Sequence, residues 1–327
     1  METRWKSGEI VLKFRLGEFV LCRCPIPALV CRESFLEIPP AFSLQIPEPT
    51  LDQHGVNAAF ILSCPLPGPL PRLSRAGNLI RYLMTGYRHY YIRIQGTFDD
   101  YLSTFKPRTR ATILRKVRKF ESLYGTDNSF RQHATPEQIA EFWPLARRLS
   151  ARTFQERMLG QGLPDDAEFQ TTIDALARAS RVRGYLLLAD SRPVSYVFGP
   201  IIDNRVFLYD YLGYDPAFAK LSPGIVLQYY IIRSIFQEEH LKVYDLCVGE
   251  GEHKRLFANA YRECADILYL RANAKSRALI TAHFGLQGLS RLIVALLDRL
   301  HCKTTVKKMI RSQFRQKTPN SFPGRHQ

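Results

Sequence analysis

The fold of this protein is decided by the stretch Tyr209–Phe257, which reads YDYLGYDPAFAKLSPGIVLQYYIIRSIFQEEHLKVYDLCVGEGEHKRLF. Two segments, Val206–Leu212 and Val243–Val248, have the apolar composition of buried strands. Between them, Ser222 and Pro223 predict a helix start, because serine caps helix N-termini and the missing N–H of proline costs nothing at the first helical position. The stretch therefore predicts a strand, a loop, a buried helix, a second strand, a glycine turn and the start of another helix.

Within this stretch, the run LSPGIVL and the later run YDLCVGEGEHKRLF resemble the BioF-like acetyltransferase domain of the GNAT superfamily. That group includes CelD-like proteins, which are named for cellulose biosynthesis, and it is distantly related to the Fem-type aminoacyltransferases. The resemblance extends from about Tyr90 to Leu270, which is just over half of the chain. The residues that carry it are Ser222, Pro223, Gly224, Asp245, Gly249, Lys254 and Phe257.

We expect an α/β (α+β) fold with three parts. Residues 1–89 are rich in strand formers and prolines and carry no chemical motif, so with the resemblance they indicate a reduced GNAT-like half that packs on the main domain. Residues 90–270 are expected to form the GNAT acyl-CoA N-acyltransferase domain, because a meander of three strands precedes the helix–strand–helix order described above. Residues 271–327 predict a basic helical tail.

Composition and length exclude several classes of protein. The chain has 327 residues, of which 46% are hydrophobic, as in a globular protein. It has no run of about 18 apolar residues and no apolar segment behind its polar start, so we expect neither a membrane-spanning helix nor a secretory signal. The seven cysteines are scattered and odd in number, and Cys22 and Cys24 have the wrong spacing for a zinc site. We therefore expect a cytoplasmic protein with reduced thiols and no metal.

The net charge of +16 is concentrated in two segments, Lys106–Phe120 and Arg271–Gln327. The first lies in a predicted helix, Thr109–Leu123, whose apolar residues recur on one side while its basic residues lie on the other. Two interpretations stay open: a solvated outer face, or contact with an anionic partner such as a nucleotide-linked or lipid-linked substrate, a membrane or the phosphates of a cofactor. No nucleic-acid-binding signature accompanies the helix, so we expect no specific nucleic-acid partner.

The resemblance implies transfer of an acyl group from acetyl-CoA or another acyl-CoA to an amine or hydroxyl acceptor, with a role in polysaccharide or cell-envelope biosynthesis. In GNAT enzymes the loop before the central helix holds the pyrophosphate, and a glycine in the first helical turn lets a ligand approach the backbone closely. The usual Q/R-x-x-G-x-G/A form is absent here. The alternative is simple capping of the helix. The residues expected to bind the cofactor are Lys220, Ser222, Gly224 and Ile225.

The same resemblance places the chemistry at the end of the strand Val243–Val248. Transfer from a thioester needs a route for the acceptor proton and stabilisation of the tetrahedral oxyanion. The run Lys254-x-x-Phe257 resembles the F-K-x-x-F element of Fem-type enzymes, although His253 replaces its first phenylalanine. A structural ion pair for the aspartate and an exposed position for the lysine are the alternatives. The candidate catalytic residues are Asp245, Glu250, His253 and Lys254.

A leucine-rich helical face and regularly spaced basic residues predict that residues 286–315 contact an anionic membrane, which makes the protein peripheral at the inner membrane face. The alternatives are that the leucines pack on the core while the charges are solvated, or that the last residues are disordered. The face comprises Leu286, Leu289, Ile293, Leu296, Leu297 and Leu300, followed by Arg299, Lys303, Lys307, Arg311 and Arg315 at every fourth position.

Two other functions are compatible with these residues. A Fem-type enzyme uses aminoacyl-tRNA, which the basic helix tolerates, although the sequence lacks the coiled-coil insertion common in such enzymes. A GNAT fold without catalysis could instead act as an assembly partner in polysaccharide export. A scan of thermal stability with acyl-CoA and CoA separates these interpretations, because a ligand that binds only the native state raises the apparent stability.

Overall fold

The computed structural model describes residues 5–17, 19–31, 48–125, 129–153, 156, 162–249 and 251–299. The architecture is mixed α/β, as the sequence predicts, and the chain divides into two compact units. The first unit comprises residues 1–85 and 265–327, and the second comprises residues 86–264. The strands Leu79–Arg93 and Ala260–Arg271 contain the points at which the chain passes from one unit to the other.

Along the described chain the elements follow each other in this order: β1 (Trp5–Leu16), β2 (Phe19–Cys31), α1 (Glu48–His54), β3 (Ala58–Pro65), β4 (Leu73–Ala76), β5 (Leu79–Arg93), α2 (Phe98–Ser103), α3 (Pro107–Tyr124), β6 (Phe130–His133), α4 (Pro136–Ser150), α5 (Ala167–Arg178), β7 (Val182–Ala189), β8 (Arg192–Ile202), β9 (Val206–Leu208), β10 (Tyr211–Tyr214), a 3-10 helix (Pro216–Leu221), α6 (Pro223–Ile235), β11 (Val243–Asp245), α7 (Glu252–Phe257), β12 (Ala260–Arg271) and α8 (Ala274–Arg299).

The first unit is built on the antiparallel hairpin β1–β2, against which α8 packs. Leu12 of the hairpin and Ile280 of α8 are buried in one apolar core. His283 of α8 is also buried, and its Nε2 donates to the carbonyl of Lys13 at 3.3 Å. Its Nδ1 therefore accepts from the Tyr82 hydroxyl, 2.8 Å away, because a neutral imidazole has one donor and one acceptor. None of the described helices has the length and hydropathy needed to cross a membrane.

The second unit has a mixed sheet in the order β5-β11-β9-β8-β7-β6, with β10 paired to β8. The predicted meander between Tyr185 and Leu212 is confirmed as strands. β7 and β8 form a hairpin whose two turn residues, Asp190 and Ser191, both have positive φ, as a two-residue hairpin turn of this hand requires. Ser, Asp and Asn are among the residues that turns favour, which is why this turn is readable from the sequence.

Two strands are shorter than the sequence indicates, and the difference opens the sheet. The predicted strand Val206–Leu212 is divided into β9 and β10, and the predicted strand Val243–Val248 ends at Asp245. β9 pairs in parallel with β11, whereas β10 leaves it and pairs antiparallel with β8. A backbone bond from Tyr209 N to Asp245 O, at 2.8 Å, follows the last of the three residue pairs between β9 and β11. Beyond it the two chains separate.

Helices α3 and α6 of the second unit pack against each other. The predicted apolar stripe of α3 is confirmed, since Ile113, Val117 and Phe120 are buried and pack in the same core as α6. Most of α6 is buried, as its apolar composition predicts. The basic residues of α3 remain on its outer side or at its N-terminal end.

The side chain of Ser222 does not cap α6 as the sequence predicts. It occupies the N-cap position of α6, but its side chain makes no capping bond with a described residue. Its backbone is left-handed, with φ 53° and ψ 49°, because it also ends the preceding 3-10 helix, where its N–H donates to the carbonyl of Ala219 at 3.0 Å. The N-terminus of α6 is therefore shaped by the backbone of the loop and not by the serine hydroxyl.

Candidate functional site

A buried histidine–aspartate hydrogen bond lies where β9 and β11 separate. The Nε2 of His89, on β5, is 2.6 Å from Oδ1 of Asp245, the last residue of β11, and both side chains are almost fully buried. The N–H of Cys247 donates to the same oxygen at 2.7 Å. The carboxylate of Asp245 therefore fixes both the neighbouring strand and the turn that follows it.

Lys254 binds the same turn from the other side. It is only 9% exposed, so the interpretation of this residue as an exposed surface lysine is wrong. Its Nζ donates to the carbonyls of Cys247, at 3.1 Å, and Val248, at 2.9 Å. The backbone of Cys247 is thus bound on both sides, by Asp245, which accepts from its N–H, and by Lys254, which donates to its carbonyl.

Cys247 itself is not suited to nucleophilic chemistry. Burial raises the pKa of its thiol well above the ordinary value, and the negative charges of Asp245 and Asp210 raise it further. A thiol held neutral in this way is a poor nucleophile, since the thiolate is the reactive form. Its φ of 60° places it in the left-handed region, which shows how tightly the turn is bent.

His253 completes the group of residues around the turn. Its ring centroid lies 5.9 Å from that of Tyr209, the residue directly after β9. Burial lowers the pKa of His253, and the adjacent positive charge of Lys254 lowers it further, so the imidazole is neutral at physiological pH. Its buried Nε2 has no hydrogen-bond partner among the described residues. Glu250, the remaining predicted catalytic residue, lies outside the described residues.

Two adjoining cavities lie between α2, α3, the start of α6 and α7. Their volumes are about 270 and 280 Å³, and they share Thr109 and Leu256 as lining residues. We refer to them together as the basic pocket, because four cations line it and no Asp or Glu does. The four cations are Lys106, Arg108, Lys116 and Arg255.

The four predicted cofactor-binding residues differ in their position relative to the basic pocket. Ile225 lines it, and Gly224 leaves open space, since a Cβ at this position meets no heavy atom within 4 Å. The N–H of Ile225 donates to the carbonyl of Ser222 at 2.9 Å, so this amide is already engaged. Lys220 is exposed on the 3-10 helix. Charge for an anionic ligand therefore comes chiefly from the cations of α3 and α7.

α7 connects the basic pocket to the turn. Among its six residues, His253 and Lys254 lie at the turn, whereas Arg255 and Leu256 line the pocket. The helix is held in place by a buried bond from the Tyr101 hydroxyl of α2 to the carbonyl of Phe257, at 2.6 Å. One short helix therefore carries both the residues at the turn and two residues of the pocket lining.

Sequence reasoning missed His89 and did not assign the basic pocket to particular residues. His89 lies in an aromatic strand, HYYIR, where nothing local distinguishes it from a core residue. The sequence indicates that the cations of α3 form a charged face, with cofactor phosphates as one interpretation. Only the packing of α3 beside α6 and α7 shows which of them surround a cavity.

Comparisons with known proteins relate part of this chain to one protein family. Residues 107–255 match the family model described as an acetyltransferase (GNAT) domain. This segment is therefore similar to a GNAT acetyltransferase domain, the family that the sequence resembles. The matched segment begins at the first residue of α3 and ends within α7, so it contains the turn and part of the lining of the basic pocket, including Arg108, Lys116 and Arg255. The chain accordingly carries an acyltransferase-type domain.

The solved structures similar to this chain have low sequence identity, and the first one below, at a TM-score of 0.50, shares its fold. The C-terminal domain of a protein assigned as lysylphosphatidylglycerol synthetase from Agrobacterium fabrum has 10% identity and a TM-score of 0.50, with 86% of this chain and 88% of that chain covered. FemX has 12% identity and a TM-score of 0.49, over 85% and 91% of the two chains. L-PGS from Bacillus licheniformis has 15% identity and a TM-score of 0.48, over 79% and 84%. No curated protein matches this sequence.

Proposed function

We propose that this protein transfers an acyl group, as in acetyl-CoA, from an acyl-CoA thioester to an amine or hydroxyl acceptor. The observation that carries the proposal is that α7 carries residues of both the basic pocket and the turn around Cys247. CoA carries several phosphates on one end and the reactive thioester on the other. The basic pocket suits the first, and the turn suits the second.

The phosphates of the donor are bound by the basic pocket. Among the described residues, Lys106, Arg108 and Lys116 form no salt bridge, so their charges are available to a ligand. Gly224 and Ile225 lie at the N-terminus of α6, where the helix dipole also favours negative charge. Lys220 and Ser222 belong to the loop that approaches this end, and they contribute to the same subsite.

The acyl transfer takes place at the turn. His253 is neutral and serves as the general base, which takes the proton of the acceptor as its nitrogen or oxygen attacks the thioester carbonyl. Lys254 supplies a positive charge where negative charge develops on the carbonyl oxygen. The carbon–sulfur bond then breaks, and the CoA sulfur receives the proton from His253. Asp245, held by His89, positions the turn, and Glu250 is the remaining candidate for acid–base work.

The basic pocket by itself accepts phosphates from any nucleotide-linked donor. An aminoacyl-tRNA, as used by Fem-type enzymes, is therefore the competing donor, and the acceptor and its place in polysaccharide or cell-envelope biosynthesis stay predictions from the resemblance.

Calorimetric titration separates the donors. We expect acetyl-CoA and CoA to bind in a salt-sensitive way, and a deacylated or aminoacylated tRNA to bind no better than an unrelated RNA of equal length. Binding of tRNA alone would transfer the proposal to the Fem-type donor, and binding of neither would remove it.

A further inference from the structure

An exposed apolar surface lies in the first unit, where α8 passes the end of the β1–β2 hairpin. The early part of α8 is packed: Ile280 is 2% exposed, and Gln287 accepts from the Arg72 guanidinium at 2.7 Å. Further along, Leu289 and Leu292, which are one turn apart, are 50% and 65% exposed. The helix thus turns from a packed element into one that presents leucines to solvent.

The hairpin brings further apolar residues to the same place. Its turn is fixed to α8 by a bond from the N–H of Gly17 to the hydroxyl of Ser290, at 2.7 Å, between the two exposed leucines. Val20 and Leu21, just after this turn, are 37% and 59% exposed. We call these four residues, Val20, Leu21, Leu289 and Leu292, the leucine patch.

Positive charge surrounds the leucine patch. Lys13, Arg15, Arg23 and Arg291 belong to the same stretches, and the described residues 12–17, 19–24 and 286–293 contain no Asp or Glu. In the sequence, Glu18 is the one acid of the hairpin turn. The chain that follows, residues 294–327, contains eight Lys or Arg and one Asp.

This combination selects one kind of partner. Exposed leucines favour any apolar environment, including a second copy of this chain. A second copy, however, brings a patch with the same positive rim, and like charges oppose such a contact. A surface of anionic lipid headgroups over hydrocarbon matches both properties, because the rim meets phosphates while the leucines enter the apolar layer.

We propose that the leucine patch docks on a membrane that contains anionic lipids. Two elements from opposite ends of the chain form the docking surface, so it is a folded surface of the first unit and does not depend on the tail alone. This inference is independent of the proposed donor chemistry, because none of its residues belongs to the second unit.

Co-sedimentation with vesicles tests the proposal on the full-length protein. We compare phosphatidylcholine vesicles with vesicles that also contain phosphatidylserine, at low and high salt. We expect binding only to the anionic vesicles and weaker binding at high salt. Leu289→Ser with Leu292→Ser should lower the partition coefficient by at least about tenfold, since each buried leucine side chain contributes more than a tenfold factor.

Leu123→Ser is the matched control, because Leu123 is 55% exposed on α3 and lies outside the patch. It should leave vesicle binding unchanged. Arg15→Gln with Arg23→Gln should weaken binding to anionic vesicles, whereas Arg178→Gln, exposed on α5, should not.

Four results would overturn the proposal: wild-type protein that ignores anionic vesicles, patch variants that bind like wild type, binding lost only on truncation after Arg299, or a concentration-dependent dimer that the leucine variants abolish. The third result assigns the binding to the tail, and the last assigns the patch to a second copy.

Discussion

The imidazole Nε2 of His89 lies 2.6 Å from the carboxylate of Asp245, and the pair is buried at the point where the sheet of the second unit opens. These residues are far apart in the sequence and come from neighbouring antiparallel strands, β5 and β11. The pair fixes the carboxylate that in turn accepts from Cys247 N–H. The geometry of the turn therefore depends on a histidine that no sequence motif marks.

Replacing His89 by Ala should destabilise the protein, because the buried carboxylate of Asp245 loses a hydrogen-bond partner. A buried acceptor left without its partner costs about 1–3 kcal/mol, and more when the acceptor is charged. The midpoint of urea unfolding measures this. The control is Glu263→Gln, which breaks the exposed pair of Arg88 with Glu263 and should cost at most about 1 kcal/mol. Equal effects of the two substitutions would mean that the His89–Asp245 pair contributes no more than a surface contact.

Replacing Lys254 by Met should affect both stability and activity. The two bonds of Nζ to the carbonyls of Cys247 and Val248 are lost, and hydrogen bonds to a charged group contribute about 1.5–3 kcal/mol each before the cost of burying the charge is subtracted. We expect a net loss of roughly 1–3 kcal/mol in unfolding free energy and a lower kcat, with little change in affinity for CoA. Lys242→Met is the control, because Lys242 also donates to a backbone carbonyl but is exposed. A Lys254→Met protein with wild-type kcat would exclude a role for this charge in transfer.

His253→Gln should lower kcat by about 10²–10⁴ while CoA affinity is retained, since general-base catalysis is lost and binding is not. The pH profile gives a second readout. Because burial and Lys254 lower the pKa of His253, the base stays deprotonated in mildly acidic solution, and the rate should fall only below the ordinary histidine value of about 6.5. Release of free CoA thiol follows the reaction. If the wild-type rate already falls at a pH well above about 6.5, the general base is another group.

Arg108→Gln and Lys116→Gln should each weaken acetyl-CoA binding by roughly tenfold, because a charge-assisted contact with phosphate is lost. Arg118→Gln is the matched control, since it removes the same type of charge from α3 at an exposed position that does not line the basic pocket. Titration calorimetry at low and moderate salt measures the three affinities. If all three substitutions act alike, the effect is one of net charge and the pocket is not the binding site.

The sequence predicts the fold well where the pattern is local. The turn at Asp190 and Ser191, the apolar stripe of α3 and the buried α6 all follow from short-range chemistry, and they are confirmed. The lengths of β9 and β11 are not predictable in this way, because both apolar runs continue past the point where the strands separate. β9 and β10 both pair with β8, but of the two only β9 also pairs with β11, and the point where that second pairing ends depends on the whole sheet.

The same distinction between local and long-range contacts applies to the candidate site. Asp245, His253 and Lys254 are close in sequence and form one short segment, so their proximity could be predicted. His89 and the cations of α3 reach them from other elements, so only the packing of the second unit brings them together. The sequence singles out Gly224 for its lack of a side chain, and the structure shows open space next to it.

The most direct test of the central claim is a thermal-shift measurement on wild type and Gly224→Asp with acetyl-CoA. A ligand at about 100 times its Kd adds about 2.7 kcal/mol to native stability, so the wild-type Tm should rise. Gly224→Asp should fold, because the position is open and an acid suits a helix N-terminus, but its charge should repel the donor phosphates and abolish the rise. Gly285→Asp, at an equally open position of α8, should keep the rise. A rise that survives in Gly224→Asp, or no rise in wild type, would contradict an acyl-CoA site at the start of α6.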